Sequence, residues 1–207
     1  MVTILVPVRG SSSSKQRLRF GPSNSQSIDS LVLTMTKRVF DTINELSIPY
    51  EVYLLTADRN LPDELTDYSF KVIYDEGFDL NNAISKAVKQ LNPEKYIVVM
   101  GDLPNLSSRL LTTIYYLLRV NDAVICPSHD GGTSILAARA SATFRFSYGP
   151  HSASLYLSQF QENHFRYTEI ESIASWYDID LISDLSRLKE NEALPPQLAK
   201  ILEELGE

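Results

Sequence analysis

Apolar residues along this chain fall into two kinds of run. Short continuous runs end in Gly, Asp, Pro or Ser, and longer stretches carry apolar positions three or four residues apart. The first kind reads as strands buried on both faces, the second as amphipathic helices. Thr3–Val8 is the first strand. A helix follows from about Ser27, a suitable N-cap, to about Leu46, with Leu31, Met35, Val39, Ile43 and Leu46 on one side. Glu51–Thr56 and Lys71–Tyr74 are strands two and three. Gly77–Ile84 leads into a helix ending near Leu91, with Asp79, Asn81 or Asn82 available as its cap. Tyr96–Met100 then runs straight into Gly101-Asp102-Leu103-Pro104, where Pro104 stops the strand.

The pattern repeats downstream. A helix spans about Ser107 to Arg119, then a strand Ala123–Cys126, then a strand-like Ser134–Ala138. Gly149-Pro150-His151-Ser152 opens a helix to about Phe160, with proline in its first turn. Arg166–Ile170 is a late strand. Tyr177–Leu185 follows, with Asp184 as a cap, and Pro195-Pro196 starts a terminal helix. Strands alternating with helices, with no repeat or linker between them, predict one domain over 1–207. Its fold class is α/β: a three-layer sandwich around a mostly parallel mixed sheet, with Gly131–Phe146 adding antiparallel strands.

Composition narrows the partners. The net charge is −7, from 26 acidic and 19 basic side chains, which argues against nucleic-acid binding. A nucleotide substrate stays compatible, because it needs only a local basic loop and a metal. The single cysteine, Cys126, forbids an intrachain disulfide and fits a cytoplasmic location. It follows Ala123-Val124-Ile125 and reads as a buried apolar residue. No signal peptide and no membrane span are expected.

Chemistry concentrates after the strands. Asp102 stands just past a buried strand's carboxyl end, where open α/β sheets bind ligands. It can serve as a metal or phosphate ligand, or simply cap the next helix in place of Ser107 or Ser108. Arg9-Gly10 and the Ser11–Ser14 run, with Lys15, Arg17 and Arg19, suit a polyphosphate, or else form a solvated serine linker. Asp178 and Asp180 point to one face if their segment is extended, or belong to a polar turn. Gly131-Gly132-Thr133 is either a tight turn or a source of backbone N–H groups. Thr56, Asp58, Asp79 and Asn81 lie where a base or ribose could be read. His129, His151 and His164 form no triad-like setting.

Taken in order, several of these pieces resemble one family. They are the first strand with its basic Ser-Lys-x-Arg-Leu loop, Gly77–Ala83, Gly101-Asp102-Leu103-Pro104, Gly131-Gly132-Thr133, Tyr148-Gly149-x-x-Ser152 and Asp178-Ile179-Asp180. Together they are similar to the 2-phospho-L-lactate guanylyltransferase family of coenzyme F-420 biosynthesis, among the GT-A-like nucleotidyltransferases. The resemblance spans Val6 to Leu185. The chain departs from that family's usual Lys at Arg9, Asn at Ser134, Phe at Ala153, His at Tyr156 and Thr-Pro at Leu181-Ile182. It implies a GT-A-like nucleotide-diphospho-sugar transferase fold and transfer of GMP from GTP to 2-phospho-L-lactate, releasing pyrophosphate. Phosphoenolpyruvate, 3-phosphoglycerate, a sugar phosphate or a pterin cofactor are the alternative acceptors, and a non-catalytic GTP-binding regulator is the other class.

The same resemblance implies catalytic roles for Asp102, Asp180 and Lys15. It implies nucleotide contacts from Pro7, Arg9, Lys15, Arg17, Thr56, Asp58, Asn81 and Asp102. Acceptor contacts fall to Thr133, Gly149 and Ser152, and magnesium (Mg2+) ligation to Asp102, Asp178 and Asp180. A dianionic phosphate acceptor needs no general base. A homodimer is possible.

Overall fold

The structure is a computed structural model that describes residues 1–8, 25–76, 79–176 and Leu198. Its strands are β1 (Val2–Pro7), β2 (Tyr50–Thr56), β3 (Lys71–Tyr74), β4 (Lys95–Val99), β5 (Ala123–Pro127), β6 (Thr133–Arg139) and β7 (Tyr167–Glu169). Its helices are α1 (Ser25–Asn44), α2 (Leu80–Leu91), α3 (Ser108–Leu117), α4 (Ser152–Glu162) and α5 (Ile173–Trp176). The seven strands form one sheet in the order β3-β2-β1-β4-β6-β5-β7. β1 pairs parallel with β2 and β4, and β2 with β3. β6 runs antiparallel to both β4 and β5, while β5 pairs parallel with β7. The sheet is therefore mixed but mostly parallel, and β6 alone of the seven is reversed.

Side-chain alternation along the strands sorts the core into two layers. Ile4, Val6, Ile97, Val99 and Val124 pack with Leu31, Met35, Val39 and Ile43 of α1 and with Leu110, Leu111 and Ile114 of α3. Leu5, Tyr96, Val98, Ile125 and Leu136 pack on the other face with Ala83, Ile84 and Ala87 of α2 and with Ala153, Tyr156 and Phe160 of α4. This is the expected three-layer α/β sandwich. Leu198 is wholly buried in the first layer.

Several boundaries differ from the sequence reading. α1 begins at Ser25, so Ser27 lies inside the helix and is not its cap. α4 begins at Ser152, and Pro150 precedes it; the N-cap is His151 in the left-handed region, φ 58°. A 3-10 turn, Leu61–Leu65, buries Leu61 and Leu65 in the 59–70 connection, where no element was expected. The short α5 was likewise not expected. Phe144–Tyr148, which alternates like a strand, joins no strand of the sheet. The Asp184 cap and the Pro195 helix start lie outside the described residues.

Candidate active site

Strand direction gathers the candidate residues. β1, β2, β3, β4 and β5 all end at one edge of the sheet, and the reversed β6 begins there. Pro7, Thr56, Gly101-Asp102 and Thr133 consequently line that edge in spatial order β2, β1, β4, β6. Strands are spaced by about 4.8 Å, so Thr56 and Thr133 stand roughly 14 Å apart across it. α2 and α4 begin at the same edge, bringing Asn81 and Ser152 to it.

Asp102 occupies the middle of this row. The turn that carries it is fixed from α1. Arg38 Nε donates to Pro104 O at 3.0 Å and the Thr42 hydroxyl to Leu106 O at 3.2 Å, while the Thr36 hydroxyl, which donates to Val32 O at 2.9 Å, lies 3.5 Å from Gly101 O. Met100 N donates to Ser134 O at 3.1 Å, which ties the same turn to β6. Gly101 has no room for a side chain: a Cβ would meet Val8 Cγ2 at 2.6 Å. Asp102 does not cap α3. That role belongs to Ser107, whose hydroxyl accepts from Leu110 N at 3.3 Å. Asp102 is half-buried at the strand end.

The acceptor-side candidates also come together. Thr133 Oγ1 and Ser152 Oγ lie 2.8 Å apart, both buried, joining β6 to the start of α4. Ala153 N donates to Gly131 O at 3.2 Å, so the glycine turn and the helix start form one unit. Gly131 has φ 84° and Gly149 φ 139°, conformations that favour glycine. Asp130 braces the turn by accepting from the Ser128 hydroxyl and from Gly132 N at 2.9 Å. Burial opposes its charge, but these hydrogen bonds outweigh it and hold the carboxyl below its ordinary value.

Other candidates turn out to be occupied. Asp79 caps α2 by accepting from Asn81 N at 2.9 Å. Asp58 accepts from Asn60 N at 2.9 Å, and the buried Thr56 hydroxyl accepts from Asp58 N at 3.1 Å. Asn81 was read as a nucleotide contact, yet its side-chain amide engages the backbone of Tyr148 twice. Nδ2 donates to Tyr148 O at 3.0 Å, and Oδ1 accepts from Tyr148 N at 2.6 Å. Cys126 is buried, and burial pushes its thiol up to about 12, against a hydrogen bond with Ser175. It is no nucleophile at neutral pH.

Arg9, Lys15, Arg17, Asp178 and Asp180 lie outside the described residues. Sequence reasoning missed Thr36, Arg38 and Thr42. They are polar positions on a helix face, and their partners lie far along the chain. Among the described residues, no helix is long and apolar enough to cross a membrane.

The family model described as "Guanylyl transferase CofC like" matches residues 2–190. A 2-phospho-L-lactate guanylyltransferase of Methanocaldococcus jannaschii is 24% identical over 186 residues, covering 89% of this chain and 81% of that protein. A phosphoenolpyruvate guanylyltransferase of Chloroflexus aurantiacus is 27% identical over 190 residues, covering 87% and 90%. Among solved structures, one from Desulfovibrio desulfuricans described as a nucleotide-diphospho-sugar transferase superposes with TM-score 0.80. It is 16% identical and covers 99% of this chain and 93% of that one. At that identity the likeness shows the fold, which is that of the nucleotide-diphospho-sugar transferases.

Proposed function

The chain belongs to the CofC-like guanylyl transferase family and is a nucleotidyltransferase, and on that premise we propose that it moves GMP from GTP onto the phosphate of a small phosphorylated three-carbon acid. The first acceptor is 2-phospho-L-lactate, in the pathway to coenzyme F-420. One observation carries this reading. A carboxylate turn tied to α1 and a hydroxyl pair joined to two glycine turns share one sheet edge, with the ends of β1 and β2 on the other side of the carboxylate.

Two anionic reactants have to meet at this edge. The acceptor phosphate has a second pKa near ~6, so it arrives mostly dianionic and already nucleophilic. Its oxygen attacks the α-phosphorus of GTP in line. The bond from that phosphorus to the bridging oxygen breaks, and pyrophosphate leaves. No covalent enzyme intermediate is needed. Thr133 and Ser152 supply hydroxyls to the acceptor's charged groups, and Gly149 lies beside them; the N–H groups of Gly131, Gly132, Ser152 and Ala153 are bonded within the protein, so the glycine turn shapes the site and is not the N–H source its sequence suggested. Pro7 and Thr56 lie on the side where the nucleotide would rest. Arg9, Lys15 and Arg17 would balance the triphosphate charge.

Magnesium fits an all-oxygen donor set of this kind. It is commonly held by one or two carboxylates together with substrate phosphates. Asp102 would be one ligand, with Asp178 and Asp180 as candidates for the rest. The ion would neutralise charge on the leaving pyrophosphate.

Phosphoenolpyruvate is the second acceptor to consider, because relatives named for each acceptor match at similar identity. The test is pyrophosphate release from GTP and magnesium with each of 2-phospho-L-lactate, phosphoenolpyruvate and 3-phosphoglycerate. Release with one of them, and much less with ATP or CTP in place of GTP, is the expected result. GTP binding without release for any acceptor would overturn the enzymatic reading in favour of a regulator.

A further inference from the structure

Residues 142–148 run as an extended strap between β6 and α4, without regular secondary structure. Ala142, Phe144, Phe146 and Tyr148 point into the second core layer. Phe144 packs against Phe160 with ring centroids 5.3 Å apart, and Tyr148 against Tyr156 at 5.6 Å. No strand pairs with the strap, so its buried-side backbone groups need other partners. Side chains supply them. Gln159 Oε1 accepts from Arg145 N at 2.8 Å, and Gln159 Nε2 donates to Arg145 O at 3.1 Å. The Tyr156 hydroxyl accepts from Ser147 N at 2.8 Å. Asn81 completes the series with its reciprocal pair to Tyr148. Two side-chain amides thus replace the missing neighbouring strand.

The two amides differ in where they come from. Gln159 belongs to α4, the helix beneath the strap, and acts at the strap's middle, on Arg145, with Nε2 also 3.5 Å from the Ser147 hydroxyl. Asn81 comes from the first turn of α2, and it grips the residue immediately before Gly149. Asp79 caps α2, so Asn81 is not spent on that helix end. The aromatic side chains hold the strap down without Asn81. What Asn81 adds is the position of the Tyr148-Gly149 peptide relative to β1, β2 and α2.

We propose that Asn81 is a positioning residue for the acceptor: its amide clamps Tyr148 so that Gly149 and the Thr133–Ser152 pair face the phosphoacid in register with the nucleotide side. This inference rests on the guanylyl-transfer reading above, and it replaces direct nucleotide contact as the role of Asn81. A misplacement of about 1 Å at a reacting centre costs up to ~100-fold. Asn81→Ala should therefore raise the acceptor KM by about 10-fold to 100-fold while the GTP KM stays within about twofold. Asn81→Asp keeps the acceptor for Tyr148 N but sets a carboxylate against Tyr148 O, and should fall between. Gln159→Ala frees the middle of the strap while the Asn81 grip on Tyr148 stays, and should keep the parent's acceptor KM.

The experiment is steady-state pyrophosphate release for the parent and these three variants, each substrate varied in turn. Hydrogen exchange at the Tyr148 amide accompanies it. Supporting results are an acceptor-specific KM increase in Asn81→Ala, absent in Gln159→Ala, with Tyr148 protection lost in the first. A GTP-specific increase would overturn the proposal and return Asn81 to the nucleotide. Equal loss of both affinities in Asn81→Ala and Gln159→Ala would reduce the clamp to general structure, and unchanged kinetics would also overturn it. A parent inactive with every acceptor overturns the underlying function, and that failure is visible before any variant is read.

Discussion

Replacing Gly101 by alanine perturbs the floor of the strand-end row at its tightest point. The new Cβ would stand 2.6 Å from Val8 Cγ2 and 3.3 Å from Pro7 O. Carbon atoms rest near ~3.5 Å, so about 0.9 Å has to be found. Val8 is 6% exposed, and its N–H donates to Leu55 O at 2.9 Å. On the other side, the Gly101–Leu106 turn is bonded to α1 through Arg38 and Thr42, with the Thr36 hydroxyl packed 3.5 Å from Gly101 O. Neither side recedes freely, and overpacking of this kind costs about 1–3 kcal/mol. For a chain of this length each kcal/mol lowers Tm by roughly 2–4 °C, so a fall of about 2–12 °C is expected. The same shift moves Asp102 against the end of β1, and turnover should drop by up to ~100-fold. Thermal unfolding and pyrophosphate release on the purified variant measure both. A Gly101→Ala protein with the parent's Tm and the parent's turnover would refute the claim that β1 and the Asp102 turn are locked together.

Three further outcomes follow from the geometry. Gly149→Ala meets no atom within 4 Å but must adopt φ 139°, so it should cost about 1–3 kcal/mol from backbone strain alone. Its acceptor KM should rise more than its GTP KM, and equal rises would count against Gly149 belonging to the acceptor side. The Tyr156→Phe variant leaves Ser147 N without its acceptor and should lose about 0.5–1.5 kcal/mol in denaturant unfolding; no loss would mean that this bond does not hold the strap. Asp122 accepts from Arg166 N at 2.9 Å. This bond, opposed by burial and aided by the Arg166 and Arg139 charges, holds its carboxyl below the usual range. Its contribution is therefore present above the unfolded value near ~4 and is lost as pH falls through the lower folded value. Asp122→Asn should flatten the acid-side fall of Tm below about pH 4, and an unchanged slope would refute the assignment.

The sheet was legible because its strands are continuous apolar runs and its helices show a clean apolar stripe. Leu31, Met35, Val39 and Ile43 are all buried as their spacing requires. Caps were legible as a choice among neighbours: Ser107 was one of three candidates, and Asp79 one of three. Deciding between them depends on backbone angles, which spacing does not report. The insertion of β6 between β4 and β5 was not readable, because strand order is set by pairing across the chain. The strap from Ala142 to Tyr148 has a strand's alternation, and its exclusion from the sheet rests on Gln159, Tyr156 and Asn81 taking its backbone bonds. Asn81 reads as a ribose or base contact because a polar residue at a helix start near a strand end has the right address; its bonds to Tyr148 are what the sequence did not show. Its partner, Tyr148, sits far along the chain, where local pattern is silent.

On the proposed reading, one phosphorylated three-carbon acid receives GMP at the edge shared by Asp102 and the Thr133–Ser152 pair. Phosphorus NMR of the products, with GTP, magnesium and each acceptor in turn, tests it most directly. The expected products are free pyrophosphate and an equal amount of a new diphosphate joining the guanosine 5′-position to the acid, both appearing much more slowly with Asp102→Asn. Hydrolysis of GTP without the mixed diphosphate, or an Asp102→Asn protein that forms it at the parent's rate, would contradict it.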